Sequence, residues 1–404
     1  MDFFQKAWRL SGGILVVAAL IGVVLRLYPF YSFDFVYKHL LHAHSHVAVL
    51  GWLFAGFYLF MVWLFVPETA QVPFRRLFYA MQLAVAGMLF TFPVQGYGPL
   101  SIPFSTLHIL LSYVAIYRLV PFIRTAKQAA VLRYGSLLAL AFHFLATLGT
   151  WALAIVMAKK LKQTPAYDLS IKWYLHLEFQ GWFFMAAFVV AAYFLLRQKT
   201  KLHGWRIALS LWALAVLGSY SLYPAWHGIA IEPLMLVHRF SVAAEMIASI
   251  WWFRQIWRSR TYLRARTPSR LLMAIALLAF AARQCIVAML WHEPLALQSM
   301  GYRSAIIGFL HLMHLGIFTH VLWGWASSLF AVKRLPFYIG LGCFHLGFGL
   351  QEFLLFAQAL PLIGQQGLFL SPRWLAGAAL LLALGSALLI ASFSKTNHKK
   401  LQTI

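Results

Sequence analysis

The stretch "HLLHAHSHVAVLGW", residues 39–52, places four histidines within eight positions, at the start of a long apolar run. They are His39, His42, His44 and His46, and the apolar run continues to about residue 66. A helix of roughly twenty apolar residues is long enough to cross a hydrocarbon layer of roughly 30 Å. The stretch therefore predicts a membrane-spanning helix with a cluster of imidazoles near one end.

The rest of the chain repeats this apolar pattern. Of the 404 residues, 62% are hydrophobic and only 10% are charged, whereas a soluble domain has about a quarter of its residues charged. Within lipid, helices satisfy every backbone polar group inside the segment. We therefore predict an all-α, polytopic bundle that forms a single transmembrane domain over residues 1–404. Its twelve spans are expected near 8–30, 41–66, 76–98, 103–123, 134–158, 173–196, 206–226, 233–256, 270–291, 303–331, 336–361 and 373–393.

Basic residues predict the orientation of these spans. The net charge of +24 is spread over short loops, so membrane lipid, and not nucleic acid, is the expected partner. Lys and Arg concentrate on the cytoplasmic side of membrane proteins, which predicts cytoplasmic termini and a bacterial inner-membrane location. The exception is the loop after span 5, with Lys159, Lys160 and Lys162. The basic residues after even-numbered spans and in the tail are Arg75, Arg76, Arg124, Lys127, Arg133, Arg197, Lys199, Lys201, Arg254, Arg258, Arg260, Arg264, Arg266, Lys333, Arg334, Lys395, Lys399 and Lys400.

This orientation puts many histidines at one depth. Even-numbered spans run from outside to inside, so a histidine near the start of such a span lies in the outer part of the membrane. His227 and His292 end odd-numbered spans and are expected outside as well. The histidines near the starts of even-numbered spans are His42, His44, His46, His108, His176, His238, His311 and His314.

A short phrase recurs with some of these histidines. His46 and His176 are 130 residues apart, and His108 and His238 have the same spacing. His46 begins "HVAVLGW" and His176 begins "HLEFQGW", while span 10 contains "HLMHLG" at 311–316. The shared pattern H-x4-G predicts a threefold pseudo-repeat of four helices per unit, and chance recurrence is the alternative. The expected units are about 1–133, 134–266 and 267–404.

The chemistry of buried imidazole suggests what the cluster does. Buried polar groups are costly unless they are paired or coordinate something, and histidines that face one another across a bundle commonly hold haem or metal. Hydrogen bonding between helices is the alternative. His42 and His46 share a helix face and His44 points the other way. We therefore predict His46 as an axial haem ligand, with His42 as its support, and leave His44 equally open to a structural role.

Other ionisable residues within the spans are candidates for the same site. Glu178 follows His176 by two residues and is the predicted proton relay. Arg239, beside His238, and Arg283 are candidate partners of haem propionates. An interhelical ion pair is the equal alternative for Arg283, and also for Glu245 and Glu352. His320 is expected to form a hydrogen bond.

Twelve spans, cytoplasmic termini and histidines on spans 2, 6 and 10 resemble the catalytic subunit I of haem–copper oxidases and nitric oxide reductases. "WYLHLEFQGW" in span 6 resembles that family's metal-ligand segment. The resemblance implies a haem, expected to be b-type, and a second metal, copper or iron. It implies that His176 is a ligand of the non-haem metal and that Glu178 delivers protons. His46, His311 and His314 would be haem ligands.

The sequence departs from that family at three positions. The family's His-His pair on span 7 corresponds to "YPAWHG", where His227 stands alone as a candidate metal ligand. Span 10 has H-x-x-H where H-x-H is expected, and Gln180 stands where many oxygen reductases have a tyrosine. A member that binds one haem, or a haem and a different metal, fits these departures better. The chain also resembles a twelve-span haem–copper membrane protein of the nitric oxide response.

Three hypotheses about the function remain open. The first is a haem-binding oxidoreductase that acts on nitric oxide, oxygen or an electron carrier near the outer face. The second is a non-catalytic haem, metal or nitric-oxide-sensing protein, and the third is a transporter lined by histidines. The sequence contains no C-x-x-C-H motif, so a separate cytochrome or a quinol is the expected electron donor. Accessory subunits or a homo-oligomer are compatible with all three.

Overall fold

A computed structural model describes residues 2–259, 267–359 and 372–394. Within these residues the protein is almost entirely helical, and twelve helices are long and apolar enough to cross a membrane. The predicted all-α, multi-pass membrane architecture is therefore confirmed. Several predicted cytoplasmic basic residues lie outside the described part of the chain, namely Arg260, Arg264, Arg266, Lys395, Lys399 and Lys400.

The twelve spans follow one another with short connections. Between them lie a 3-10 turn at Glu68–Ala70 and a short helix at Glu293–Ser299. Two short strands, Ala331–Val332 and Phe393–Ser394, pair antiparallel, with Ala331 opposite Ser394. The spans are Asp2–Leu27, Tyr37–Phe65, Val72–Gln95, Ser101–Thr125, Ala130–Ala158, Pro165–Arg197, Trp205–Trp226, Ile231–Arg258, Pro268–Met289, Arg303–Leu329, Arg334–Ala359 and Arg373–Ser392.

Every predicted span overlaps an observed helix, and the largest differences are at the starts of spans 1 and 6. Span 1 is already helical at Asp2, and Asp2 and Lys6 form an exposed ion pair of 2.7 Å one turn apart. Span 6 begins at Pro165, in the first turn, where a missing N–H costs nothing. An ion pair of 2.7 Å between Asp168 and Lys172 stabilises the same turn. Both helices thus include charged first turns that lie before their apolar runs.

The chain divides into two compact units. The first comprises residues 1–122 and 322–404, and the second comprises residues 123–321. Spans 4 and 10 each contain a boundary between the units. The three predicted repeats divide the sequence differently, and those divisions stay a prediction.

Tryptophan packing ties distant parts of the first unit together. The ring of Trp8 in span 1 lies 5.1 Å from the ring of Trp52 in span 2 and 6.0 Å from that of Trp325 in span 10. The ring of Trp8 also lies 5.7 Å from the ring of Phe393, which belongs to the second of the two short strands. Trp8, Trp52 and Trp325 are buried, so this cluster forms a large apolar core.

Spans 11 and 12 pack against each other through glycines. A Cβ atom added at Gly385 would lie 2.4 Å from the backbone nitrogen of Phe344, and one added at Gly347 would lie 2.6 Å from the carbonyl oxygen of Ala378. Both neighbouring atoms belong to backbone, which cannot move aside as a side chain does. Small residues that let two backbones approach closely are typical of membrane helix pairs.

We expect Gly385→Ala to lower the unfolding temperature in detergent, because overpacking of this kind typically costs about 1–3 kcal/mol. Gly377→Ala in the same span is the matched control, since an added Cβ there meets nothing within 4 Å. Circular dichroism during heating measures both. Equal stability of the two variants would contradict close packing at Gly385.

Candidate functional site

Three spans change from α-helix to π-helix partway along their length. The π-helical segments are Val47–Phe54, Leu177–Phe183 and Leu312–Thr319. They begin directly after His46, His176 and His311, the first residues of the three H-x4-G phrases. Because π-helices are rare and occur frequently at functional sites, the three phrases share an unusual local structure as well as a sequence pattern.

The glycine of the phrase allows a neighbouring helix to approach the π-helical backbone. A Cβ atom added at Gly51 would lie 2.5 Å from Cγ2 of Ile14 and 2.9 Å from Cγ1 of Val85. One added at Gly181 would lie 2.5 Å from the ring of Phe142. Spans 2 and 6 are accordingly the two most buried of the twelve candidate spans in the described residues.

In the first unit, the predicted haem ligand His46 lies in a small cluster of rings. Its imidazole is 4.6 Å from the Phe92 ring, and the imidazole of His42 is 4.7 Å from the Tyr97 ring. His46 donates a hydrogen bond from Nδ1 to the carbonyl oxygen of His42 at 2.9 Å. The Tyr97 hydroxyl is 3.4 Å from His46 Nε2. His42 and His46 thus share a face, as predicted.

The turn after span 3 brings Tyr97 to these histidines. Gly96 has a φ of +61°, a conformation that glycine adopts without strain, and a Cβ there would lie 2.5 Å from the His39 ring. Ser101 donates a 2.5 Å hydrogen bond to the carbonyl oxygen of Gly96 and accepts one from the N–H of Gly98 at 2.9 Å. Glycine therefore allows the chain to reverse tightly beside span 2.

Two other candidate histidines of this unit have structural contacts. His44 donates from Nδ1 to the carbonyl oxygen of Ala18 at 2.9 Å, on span 1, which agrees with the predicted opposite face. His108 is buried, and its ring packs edge-on against Phe54 at 5.1 Å. His44 therefore helps to hold span 2 against span 1.

In the second unit, His176 forms hydrogen bonds through both ring nitrogens. Its Nε2 donates to the carbonyl oxygen of Val216 at 2.7 Å, with the Ser219 hydroxyl 3.3 Å from the same nitrogen. Its Nδ1 is 3.3 Å from the hydroxyl of Tyr223. Because a carbonyl oxygen only accepts, the proton is on Nε2, and Nδ1 accepts from Tyr223.

The corresponding histidines of the two phrases thus expose different nitrogens. His46 has its proton on Nδ1 and its lone pair on Nε2, the arrangement that metal-ligating histidines adopt when the other N–H is held by a carbonyl. His176 has its lone pair on Nδ1, which accepts from the Tyr223 hydroxyl at 3.3 Å, while Nε2 of His46 faces the Tyr97 hydroxyl at 3.4 Å. The two histidines therefore differ in which nitrogen is available as a ligand, and Nε2 of His46, the ring nitrogen farther from the main chain, is the more accessible of the two to a large planar group.

Glu178, the predicted proton relay, is paired with His143, a histidine that was not predicted to belong to the site. Nδ1 of His143 in span 5 lies 3.0 Å and 3.2 Å from the two carboxylate oxygens of Glu178. Both side chains are buried, at 3% and 0% exposure. The ring of His143 is 5.7 Å from that of Trp182. A histidine inside an otherwise apolar span was the signal that could have revealed this partner.

A second buried polar network joins spans 6, 8 and 9 of this unit. Arg283 donates to Glu245, to Gln180 and, at 2.8 Å, to Gln284. Gln284 donates in turn to the Ser249 hydroxyl at 2.5 Å. The guanidinium carbon of Arg283 also lies 4.9 Å from the centre of the Phe184 ring. The ion pair between Arg283 and Glu245 is therefore present. It occupies the guanidinium group that was predicted as a candidate partner of haem propionates.

The remaining candidates lie near the ends of their spans. His227 Nε2 donates to Asp168 at 2.8 Å, and Asp168 also binds Lys172. Arg239 forms an ion pair of 3.0 Å with Glu293, so the structure shows a protein partner for this predicted propionate ligand.

Four further histidines lie within spans 8 and 10 and differ in burial. His238 donates to the carbonyl oxygen of Leu290 at 3.1 Å, and His320 donates to that of Leu315 at 2.7 Å, as predicted for a hydrogen-bonding residue. In span 10, His314 is buried and His311 is partly buried.

Among the described residues, no group of three or more His, Cys, Asp or Glu side chains is arranged to hold a metal ion. The metal roles predicted for His46, His176, His227 and His311 therefore stay predictions. No protein-family model matches the chain, and no curated protein matches it significantly.

We expect Arg283→Met and Glu245→Leu each to destabilise the protein strongly, because each leaves a buried charge without its partner, at a cost of about 3–5 kcal/mol. The double variant should be more stable than either single one. Thermal unfolding in detergent measures the stability of the three variants. Lys6→Ala, which breaks an exposed ion pair, is the control and should change the stability little. If the loss of stability in the double variant equals the sum of the two single losses, the interaction between Arg283 and Glu245 is contradicted.

Proposed function

We propose that this chain is a haem-binding membrane protein with redox or diatomic-gas chemistry, distantly similar to the haem–copper oxidases and nitric oxide reductases. The hydrogen-bonding state of His46 supports the proposal most directly. Its Nδ1–H is held by the carbonyl oxygen of His42, which fixes the ring and leaves the lone pair on Nε2, where the Tyr97 hydroxyl lies 3.4 Å away.

The three π-helical segments support the threefold pseudo-repeat that belongs to this proposal. They occur in spans 2, 6 and 10, and each follows the histidine of an H-x4-G phrase. Chance recurrence of a short sequence pattern does not account for a rare helix type at the same point of the phrase in all three spans. A common origin of the three units accounts for both.

A bound haem would supply iron for electron transfer or for binding a diatomic ligand. Nε2 of His46 would hold such a group, with the His42 carbonyl orienting the imidazole through Nδ1–H. The Tyr97 hydroxyl, now 3.4 Å from Nε2, would turn aside and remain as a neighbouring polar group. The Phe92 ring packs on the imidazole and limits the access of water.

The His143–Glu178 pair would move protons in this proposal. Both groups are buried in the second unit and lie within hydrogen-bond distance of each other. A proton can therefore pass between His143 Nδ1 and a Glu178 oxygen without a change in fold. Removal of either partner would deprive the other of this buried hydrogen bond, which is costly.

A non-catalytic haem protein that binds or senses nitric oxide is the second candidate. The observation in its favour is that His176, the residue implied as ligand of a second metal, already bonds Val216 and Tyr223. Catalysis of the haem–copper type needs that second metal, whereas reversible binding of a gas needs only one open position on the haem.

The absorption spectrum of the purified protein tests the haem assignment. We expect a Soret band in the wild type and a loss of haem content of roughly tenfold or more in His46→Ala, because the ligand nitrogen is removed. His44→Ala is the matched control, since it lies in the same phrase but bonds span 1, and it should keep the band. His311→Ala and His314→Ala test the span-10 ligands that the resemblance implies.

An absence of haem in the wild type, or an unchanged band in His46→Ala, would contradict the proposal. A shift of the reduced spectrum with carbon monoxide would show an open coordination position. Metal analysis of the wild type and of His176→Ala then separates the two candidates, because only the catalytic one requires a second metal that depends on His176.

We also propose that both termini are cytoplasmic and that the protein lies in the inner membrane of a bacterium. The basic loops after even-numbered spans support this orientation. Lys162, after span 5, would then be outside, and Lys201, after span 6, would be inside; both side chains are exposed.

A membrane-impermeant maleimide applied to spheroplasts should therefore label Lys162→Cys and not Lys201→Cys. The wild-type protein gives the background from Cys285 and Cys343, which lie within spans. The reverse labelling pattern would show that the orientation is inverted.

A further inference from the structure

Span 11, Arg334–Ala359, carries a carboxyl group that neither unit's polar network uses. Both carboxylate oxygens of Glu352 are buried and accept no hydrogen bond from the described residues. The other acidic side chains deep within spans differ, because Glu178 is bonded by His143 and Glu245 by Arg283. Glu352 alone among these three therefore lacks a donor.

Two ionisable groups are relevant to Glu352, a histidine on its own helix and an arginine on span 1. His345 lies two turns earlier on the same helix face and donates from Nδ1 to the carbonyl oxygen of Leu341 at 2.7 Å. Gly349 lies between them, and a Cβ added there would meet nothing within 4 Å. Arg26 of span 1 acts electrostatically on Glu352 and also on His44 of span 2. These groups all belong to the first unit, and none of them donates to the carboxylate.

An ionised carboxylate in this position has an electrostatic cost that no hydrogen bond offsets. A charge within the hydrocarbon region is expensive unless it is paired or bonded, and a protonated carboxyl group removes the charge. The carboxyl group is thus suited to take up and release a proton within the membrane.

We propose that Glu352 is a membrane-embedded proton-binding site of the first unit. The site does not include the His143–Glu178 pair of the second unit, and it does not depend on haem. The bound proton is carried on a carboxyl oxygen of Glu352, and its release regenerates the carboxylate.

Dicyclohexylcarbodiimide tests this proposal, because it enters bilayers and forms a stable N-acylurea with protonated carboxyl groups. The full-length protein in liposomes is treated at neutral pH, and mass spectrometry of its peptides locates the adduct. We expect roughly tenfold or more label on Glu352 compared with Glu245, which is held as a carboxylate by Arg283. Glu352→Gln should lose this label and keep the far-ultraviolet circular dichroism of the wild type.

Infrared spectroscopy of the untreated protein provides a second measurement that does not depend on access of the reagent. The carbonyl band of a protonated carboxyl group should be present at neutral pH and be lost in Glu352→Gln. If that variant does not fold, the label on the wild-type protein still decides the question.

The proposal is overturned if Glu352 carries no label, or if Glu245 is labelled to the same extent. It is also overturned if sodium ions, but not choline, protect Glu352 from the reagent, because that result identifies a cation site instead of a proton site.

Discussion

The cost of a polar group without a partner in hydrocarbon governs this structure at every level. It requires helices for the backbone, and it requires each ionisable side chain within a span to find a donor or an acceptor. The pairs His143–Glu178 and Arg283–Glu245 meet that requirement in the second unit. The imidazoles of His44 and His46 meet it through backbone carbonyl oxygens. Glu352 does not, and for that reason it invites a functional explanation.

Much of the fold could be predicted from the sequence, because span number and approximate limits follow from the length and apolarity of each run. The early start of span 6 could not be predicted in the same way, since its first turns contain the charged residues Asp168 and Lys172, and a hydropathy scale counts charged residues against a span. The opposite faces of His44 and His46 followed from helical geometry alone. The pairing of Glu178 with His143 did not, because it depends on how spans 5 and 6 pack.

The candidate site shows that a shared sequence motif does not determine which ring nitrogen of a histidine carries the proton. His46 and His176 begin the same phrase and the same type of π-helical segment, yet different ring nitrogens carry the proton. The difference arises from the acceptor that each ring meets: the His42 carbonyl one turn earlier in one case, and the Val216 carbonyl of another span in the other. A motif specifies the imidazole, whereas the surrounding helices specify which nitrogen is available for chemistry.

The spacing of the recurrent phrase has a mechanical consequence. From His46 to Gly51, from His176 to Gly181 and from His311 to Gly316 the chain advances five residues, the reach of a π-helical hydrogen bond. Each of these spans therefore contains one residue more than an α-helix of equal length. A surplus residue can move along a helix one position at a time and rotate the side chains that it passes while both helix ends stay in place. Each of these three histidines therefore lies directly before a helical segment in which such a rotation can take place.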